Sequence, residues 1–467
     1  MAQMITNPAT LAPLGEVPES GVEEIDRTVA AAAGAGPAWC AMPAAQRGAL
    51  LHEIAGHIRA RARELADLST RESGLTRCES LDCVSAAAAS FDFFAARAGS
   101  TASSGADTGS SGAVAILAPF NLPLPVMAAS VGRALAAGRS VVCKPPAQNP
   151  LTSLQIARAF ELLPAGVANL VTGGSEVGRA LAAHPGIDRV MFTGSMAAGL
   201  QIEASAAGKH LELELGTVGA HIVCRNADLD LAVPAIAWTR LMSGGQSCMS
   251  GGHLYVDRSM AAEFVERMHQ CVGFLDVDDP GKPSTDLGPL ISLDAARRIE
   301  DQVGRTLRAG AKLILGGRRF RPSGLPGHFF QPTILTDVKP GSVPMREEIL
   351  GPVITVTPVT DLAQALEFWR EFASSRAISP AGASIHTGDA EAAVRAVESM
   401  AGGFFRINDP SLGALGPFSG LRHRGIRLAL GADPEDVSAR GAKQVEISRT
   451  IERKPWWFPY ADRARSP

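Results

Sequence analysis

The chain has 467 residues, enough for two or three domains and a large buried core. Its 46% apolar and 19% charged residues are ordinary for a soluble globular protein. A net charge of −3 and a pI near 6.4 give no general pull toward nucleic acid or an anionic membrane.

The first residues have no basic start leading into an apolar stretch, and no apolar run is long enough to span a bilayer. Neither a signal peptide nor a membrane span is expected. Residues 20–100 read as helices, with Leu50, Ile54, Ile58 and Leu65 at helical spacing. Residues 100–112 are a polar Gly/Ser stretch, a loop or linker. Strands and helices then alternate. Strands are expected at 113–117, 140–143, 168–171 and 189–192, and helices at 124–137, 151–163 and 175–183. This rhythm predicts an α/β fold with a doubly wound parallel sheet. Residues 220–400 repeat a looser alternation, which suggests a second α/β domain. Residues 445–451 alternate like a strand. The tail Lys454-Pro455-Trp456-Trp457-Phe458-Pro459-Tyr460 gathers aromatics in a chain that has few.

The seven cysteines are Cys40, Cys78, Cys83, Cys143, Cys224, Cys248 and Cys271, and none makes a Cys-x-x-Cys pair. A disulfide framework or zinc site is not expected, and a reduced, cytoplasmic setting fits. The histidines show no metal spacing, so no metal is expected.

Five places could carry chemistry. Cys248 ends the run Gly244-Gly245-Gln246-Ser247-Cys248. A lone cysteine is most often a small buried hydrophobe, yet flanking glycines let backbone N–H groups approach a reacting oxygen. Glu214 is either a buried base or a solvated strand residue, and it shares a face with Glu212. The turn Thr172-Gly173-Gly174-Ser175 joins a strand to a helix, the context for a phosphate at a helix N-terminus, and Phe192-Thr193-Gly194-Ser195 repeats it. Two such turns in tandem favour a dinucleotide. Lys144 closes a strand, where a side chain reaches the ligand crevice or stays at the surface. Asn121 either caps the following helix or donates to an oxyanion.

Together these residues resemble the aldehyde dehydrogenase superfamily over nearly the whole chain. The likeness runs from Asn7-Pro8-Ala9-Thr10 through Ala118-Pro119-Phe120-Asn121, Lys144-Pro145, Phe192-Thr193-Gly194-Ser195 and Glu214-Leu215-Gly216. It continues to Gly245-Gln246-Ser247-Cys248, Gln331-Pro332-Thr333 and Glu347-Glu348-Ile349-Leu350-Gly351-Pro352. The resemblance implies a Rossmann-like dinucleotide-binding domain, a second α/β catalytic domain and a small strand-based oligomerisation segment. The implied boundaries are 1–102 with 113–216, then 217–423, with 103–112 a shortened oligomerisation loop and 424–467 a C-terminal segment. It implies oxidation of a small-molecule aldehyde to a carboxylic acid, with hydride transfer to NAD or NADP. Cys248 would be the nucleophile, Glu214 the base that activates water, and Asn121 an oxyanion donor. Phe120, Lys144, Gly178, Thr193, Gly194, Ser195, Leu215, Glu348 and Leu350 would contact the cofactor.

The chain departs from the family pattern in four places. Ala147 stands where an acidic residue usually meets the adenosine ribose, which leaves both NAD and NADP permissible beside Lys144. Thr217-Val218 replaces Gly-Lys, and His253 stands for an arginine. Leu350 replaces a phenylalanine expected to pack on the nicotinamide. The 100–112 stretch is too short for the usual assembly hairpin, while the strand near 445–451 could pair with a neighbour's sheet edge, so a homodimer is expected. The aromatic tail would pack on the partner near a substrate tunnel, or form an exposed appendage. The scarcity of charge around Asn121 and Cys248 points to an apolar or aromatic aldehyde. The alternatives are acylation of coenzyme A, which Glu214 argues against, and a weakly active cofactor-binding relative.

Overall fold

The structure is a computed structural model. It describes residues 2–98, 112–215, 219–247, 250, 252–375, 382–398, 404–408, 418–419, 429–430 and 444–447. The chain opens with an antiparallel hairpin, β1 (Ala2–Thr6) and β2 (Pro13–Pro18). Four helices follow: α1 (Val22–Ala41), α2 (Ala44–Ala60), α3 (Ala62–Ser73) and α4 (Arg77–Ala95). Helix α4 starts on a capping box. The Thr76 side chain accepts from the Glu79 N–H, while Glu79 Oε2 accepts from the Thr76 N–H at 2.9 Å.

The alternating segment comprises β3 (Ala113–Leu117), α5 (Pro123–Ala136), β4 (Val141–Lys144), α6 (Leu151–Ala157), β5 (Ala168–Leu170), α7 (Ser175–Ala183), β6 (Ile187–Gly194), α8 (Met196–Ser205) and β7 (His210–Leu215). The strands are parallel, in the order β5-β4-β3-β6-β7. The order reverses between β3 and β6, which opens a crevice at the carboxyl ends of the strands. Every residue of β3 is buried. Val114 and Ile116 pack toward α2, α4 and α5; Ala113, Ala115 and Leu117 pack toward α1, α7 and α8. This period-two split is why the strand reads as an unbroken apolar run: both faces are covered.

The third part contains β8 (Ala220–Val223), α9 (Leu229–Leu241), β9 (His253–Asp257), α10 (Ala261–Gly273), α11 (Leu293–Arg308), β10 (Lys312–Leu315) and β11 (Thr333–Thr336). It continues with β12 (Val353–Val359), α12 (Leu362–Ser375), β13 (Gly382–His386), α13 (Ala390–Glu398) and β14 (Phe404–Ile407). Two short strands, β15 (Phe418–Ser419) and β16 (Ala429–Leu430), pair with each other; β17 (Gln444–Ile447) follows. The eight-stranded sheet runs β10-β11-β12-β9-β8-β13-β14-β17 and is parallel except for the β10–β11 pair. Helices α9 and α10 cover one face, and α12 and α13 the other.

The fold is therefore the expected α/β class. Strand β3 and helix α7 fall on their expected residues, and β4 is displaced by one. The helix expected over 151–163 is α-helical only to Ala157 and then tightens into a 3₁₀ turn, Arg158–Leu162. The strand expected at 445–451 is β17, and it pairs with β14 of its own chain. It is the edge strand of the eight-stranded sheet, paired on one side only among the described residues. Residues 448–451, the Gly/Ser stretch up to residue 111 and the aromatic tail lie outside the described residues.

Candidate active site

Each strand of the first sheet hands a candidate residue to the crevice. Phe120 and Asn121 follow β3, Lys144 ends β4, Gly173 and Gly174 follow β5, Gly194 ends β6 with Ser195 beyond it, and Leu215 ends β7. Strand register sets Glu214 opposite Thr193 and Leu215 opposite Gly194.

Lys144 is buried, and its Nζ donates to the carbonyls of Pro145 at 2.7 Å and Gly173 at 3.1 Å. Burial lowers its pKa to about 8, with Glu19 opposing that shift. Its stem runs beside Gly178, where an added Cβ would sit 3.6 Å from Lys144 Cε. Ser195 is the N-cap of α8 and accepts from the Ala198 N–H at 3.3 Å. A buried cation and two helix N-termini supply donors that fit a dinucleotide's phosphates, and the Glu348 carboxylate supplies an acceptor for ribose hydroxyls.

Glu212 and Glu214 share a strand face but not an environment. Glu212 is buried and pairs with Arg133 of α5 and Arg189 of β6. Its charge is committed to the sheet. Glu214, one alternation on, is half-buried at the open end of the strand.

The second sheet contributes loops at its strands' amino-terminal ends. After α9 the backbone makes a tight turn in which Ser243, Gly244 and Gly245 have φ of 56°, 63° and 69°. Left-handed backbone favours glycine, so two of the three positions are glycine. Gly245 has a further reason: an added Cβ would lie 2.1 Å from the Gly351 carbonyl oxygen. This contact joins the cysteine loop to the Glu347–Pro352 segment. The Ser243 N–H donates to Glu79 Oε1 at 2.6 Å, so the α4 capping box also holds this turn. Gln246 is buried; its Nε2 donates to the Ser243 carbonyl at 3.0 Å and its Oε1 accepts from the Ile291 N–H at 3.0 Å. Asn121 Nδ2 donates to the Gln246 carbonyl at 2.9 Å, linking the two sheets' loops. Asn121 makes no cap bond to α5; its Oδ1 accepts from the adjacent Leu122 N–H at 3.0 Å. Cys248 lies outside the described residues, as do 216–218. On either side of it, Ser247 and Ser250 are buried and joined by a Ser250 N–H to Ser247 carbonyl bond of 3.1 Å.

Arg240 is the residue that sequence reasoning missed. It resembles an ordinary last-turn arginine of α9, yet it is almost fully buried. It donates to Ser250 Oγ at 2.7 Å and to the Val353 carbonyl at 2.6 Å. It thereby ties the cysteine loop to the start of β12, just after Glu348. Burial lowers its pKa to about 10, and the Glu348 carboxylate opposes the shift. His221, held neutral by burial with its pKa lowered to about 3, donates from Nε2 to the Ser250 carbonyl at 3.3 Å. His253 is buried and stacks on Tyr255 at 6.0 Å. Glu347 is bound by Arg305 through two bonds of 2.6 Å, whereas Glu348 and Leu350 are half-buried beside it.

A crevice at the carboxyl ends of a parallel sheet, lined by a buried lysine and two helix N-termini, defines a dinucleotide-binding α/β protein as the class. The family comparison makes this specific: the aldehyde dehydrogenase family matches residues 2–433, and the chain belongs to it. A 3,6-anhydro-alpha-L-galactose dehydrogenase of Streptomyces coelicolor is 33% identical over 422 residues, covering 86% of this chain and 84% of that protein. The structure of a 3,6-anhydro-L-galactose dehydrogenase with bound NADP superposes with a TM-score of 0.85 at 26% identity, covering 92% of this chain and 93% of that one. PnpE in complex with NAD superposes at 0.86 with 30% identity, covering 93% and 91%. The protein is an NAD(P)-dependent aldehyde dehydrogenase that oxidises an aldehyde. The comparisons do not favour the coenzyme A-acylating alternative. No helix among the described residues is long and apolar enough to cross a membrane.

Proposed function

We propose that Cys248, Glu214 and Asn121 carry out this oxidation by a hydrolytic, covalent route. The observation that carries the reading is the 2.9 Å bond from Asn121 Nδ2 to the Gln246 carbonyl, which brings a side-chain donor to the loop that leads into Cys248. The Cys248 thiolate adds to the aldehyde carbon and gives a thiohemiacetal. Asn121 Nδ2 carries two protons; one is spent on Gln246 and the other serves the developing oxyanion, with the Cys248 backbone N–H as second donor. The bound nicotinamide supplies a hydride acceptor. What remains on Cys248 is a thioester. Glu214 takes a proton from water, the hydroxide oxygen adds to the thioester carbon, and the thiolate leaves. The net products are a carboxylic acid and reduced cofactor.

The first sheet would hold the cofactor, with Lys144, Gly178 and Ser195 toward the adenosine and pyrophosphate, and Glu348 would reach the nicotinamide ribose from the loop before β12. The second sheet would carry the nucleophile. We infer a reduced, cytoplasmic setting from seven scattered cysteines with no Cys-x-x-Cys pair. We infer a homodimer from the shortness of the 100–112 stretch; a tetramer by light scattering would refute it. The substrate is tested by following nicotinamide absorbance with aliphatic, aromatic and hydroxylated aldehydes. Little charge near Asn121 favours apolar ones, and the named relatives favour sugar-derived ones. Failure of every aldehyde to reduce either cofactor would refute the reading.

A further inference from the structure

Ala147 leaves the expected adenosine-ribose position without a carboxylate, yet a carboxylate is there. A cavity beside Ala147 is lined also by Pro150, Thr172 and Gly173, and by Pro18 and Glu19 from the chain leaving β2. This distant segment is fastened to the β5–α7 turn. The Ser20 N–H donates to the Thr172 carbonyl at 2.8 Å, and the Thr172 N–H donates to Ser20 Oγ at 3.1 Å. Glu19 is half-buried, and its Oε1 accepts from the Gly174 N–H at 3.1 Å. Gly173, at φ +142°, makes room for it: an added Cβ would meet Glu19 Cγ at 2.8 Å. The Gly173 carbonyl in turn accepts from Lys144. Glu19 and Ala147 thus line one cavity, and Lys144 is bonded to its Gly173 wall, although Glu19 precedes the other two by more than a hundred residues.

We propose that Glu19 is the cofactor-specificity residue of this enzyme, and that it selects NAD over NADP. One carboxylate oxygen is spent on the helix. The other accepts from the hydroxyls of the adenosine ribose. A 2′-phosphate at the same place would meet a fixed negative charge, which repels it more strongly than Lys144, already shared with two carbonyls, attracts it. The substitution of Ala147 is therefore offset by a residue from another part of the chain. This inference rests on the cofactor lying at the carboxyl ends of the first sheet.

Calorimetric titration of the cofactor-free enzyme with NAD and with NADP tests it. Wild-type enzyme binds NAD more tightly. Glu19→Gln keeps an oxygen for the Gly174 N–H but removes the charge, so its thermal midpoint stays near wild type. The ratio of the two dissociation constants moves toward NADP by at least about tenfold, the equivalent of about 1.4 kcal/mol. An unchanged ratio, or equal movement of both constants, overturns the proposal. Lys144→Met separates the two levels of the argument. If it weakens NAD while Glu19→Gln leaves the ratio unchanged, only the role of Glu19 fails. If it leaves both cofactors unaffected, the cofactor placement fails as well.

Discussion

Replacing Gly245 by alanine tests whether the contact between the cysteine loop and the Glu348 segment sets the geometry of the reaction. The new Cβ would stand 2.1 Å from the Gly351 oxygen, 2.3 Å from its carbon and 2.8 Å from Pro352 N, all backbone atoms that cannot rotate away. Reaching even 3.0 Å requires the two segments to part by at least 0.9 Å. The left-handed φ of 69° adds roughly 1–2 kcal/mol for any residue with a Cβ. The displacement falls on Gln246, the next residue, and so on its bond to Asn121. A misplacement of about 1 Å near reacting groups costs on the order of 10²-fold in rate. We expect kcat/KM to fall about a hundredfold, measured by nicotinamide absorbance with an aldehyde chosen from the panel. Gly244→Ala is the internal control. It has a similar φ of 63°, but its added Cβ meets nothing closer than Gln246 Nε2 at 3.5 Å. It should lose stability without losing the hundredfold in rate. Equal effects of the two variants on kcat/KM, or a Gly245→Ala enzyme within threefold of wild type, would refute the reasoning.

Other expectations follow from the same geometry. Asn121→Ala removes one oxyanion donor and should lower kcat by about 10²–10³ with little change in KM; a raised KM at constant kcat would make Asn121 a binding residue instead. Arg240→Met leaves Ser250 Oγ and the Val353 carbonyl without their buried donor, at roughly 1–3 kcal/mol each; a urea midpoint equal to wild type would contradict this. Lys144, lowered to about 8 by burial, loses its charge above that pH in the cofactor-free enzyme. An anionic cofactor favours the charged amine, so affinity should be full below about 8 and fall by up to about tenfold per pH unit above it. Between about 8 and 10.5 the unfolded chain binds the extra proton, so this group makes stability rise with pH over that window. Flat cofactor affinity from pH 7 to pH 10 would remove Lys144 from the site.

What could be read from the sequence follows the range of the interactions. Strand β3 and the two Gly turns are local: apolar runs and glycines announce them wherever the chain goes. Glu212 and Glu214 show what pattern alone leaves open. Their alternation puts them on one face, but only the placement of Arg133 and Arg189 shows that Glu212 is committed to an ion-paired cluster. Of the two readings of Asn121, the helix cap fails because its Oδ1 accepts from the adjacent Leu122 N–H, while its Nδ2 reaches Gln246, a partner 125 positions away. Arg240 and Glu19 were invisible for the same reason. One looks like a helix-end arginine and the other like a surface glutamate before a helix. Their environments come from β12 and from the β5–α7 turn, which no spacing in their own neighbourhoods reveals.

The central claim is that Cys248 holds the acyl group and Glu214 delivers the water that removes it. The direct measurement is the mass of the Glu214→Gln enzyme, quenched and digested after mixing with aldehyde and oxidised cofactor. The account predicts about one equivalent of reduced cofactor per subunit in a burst, and the acyl mass on the peptide that contains Cys248. Undiminished steady turnover by the variant, or an adduct on any residue other than Cys248, would contradict it.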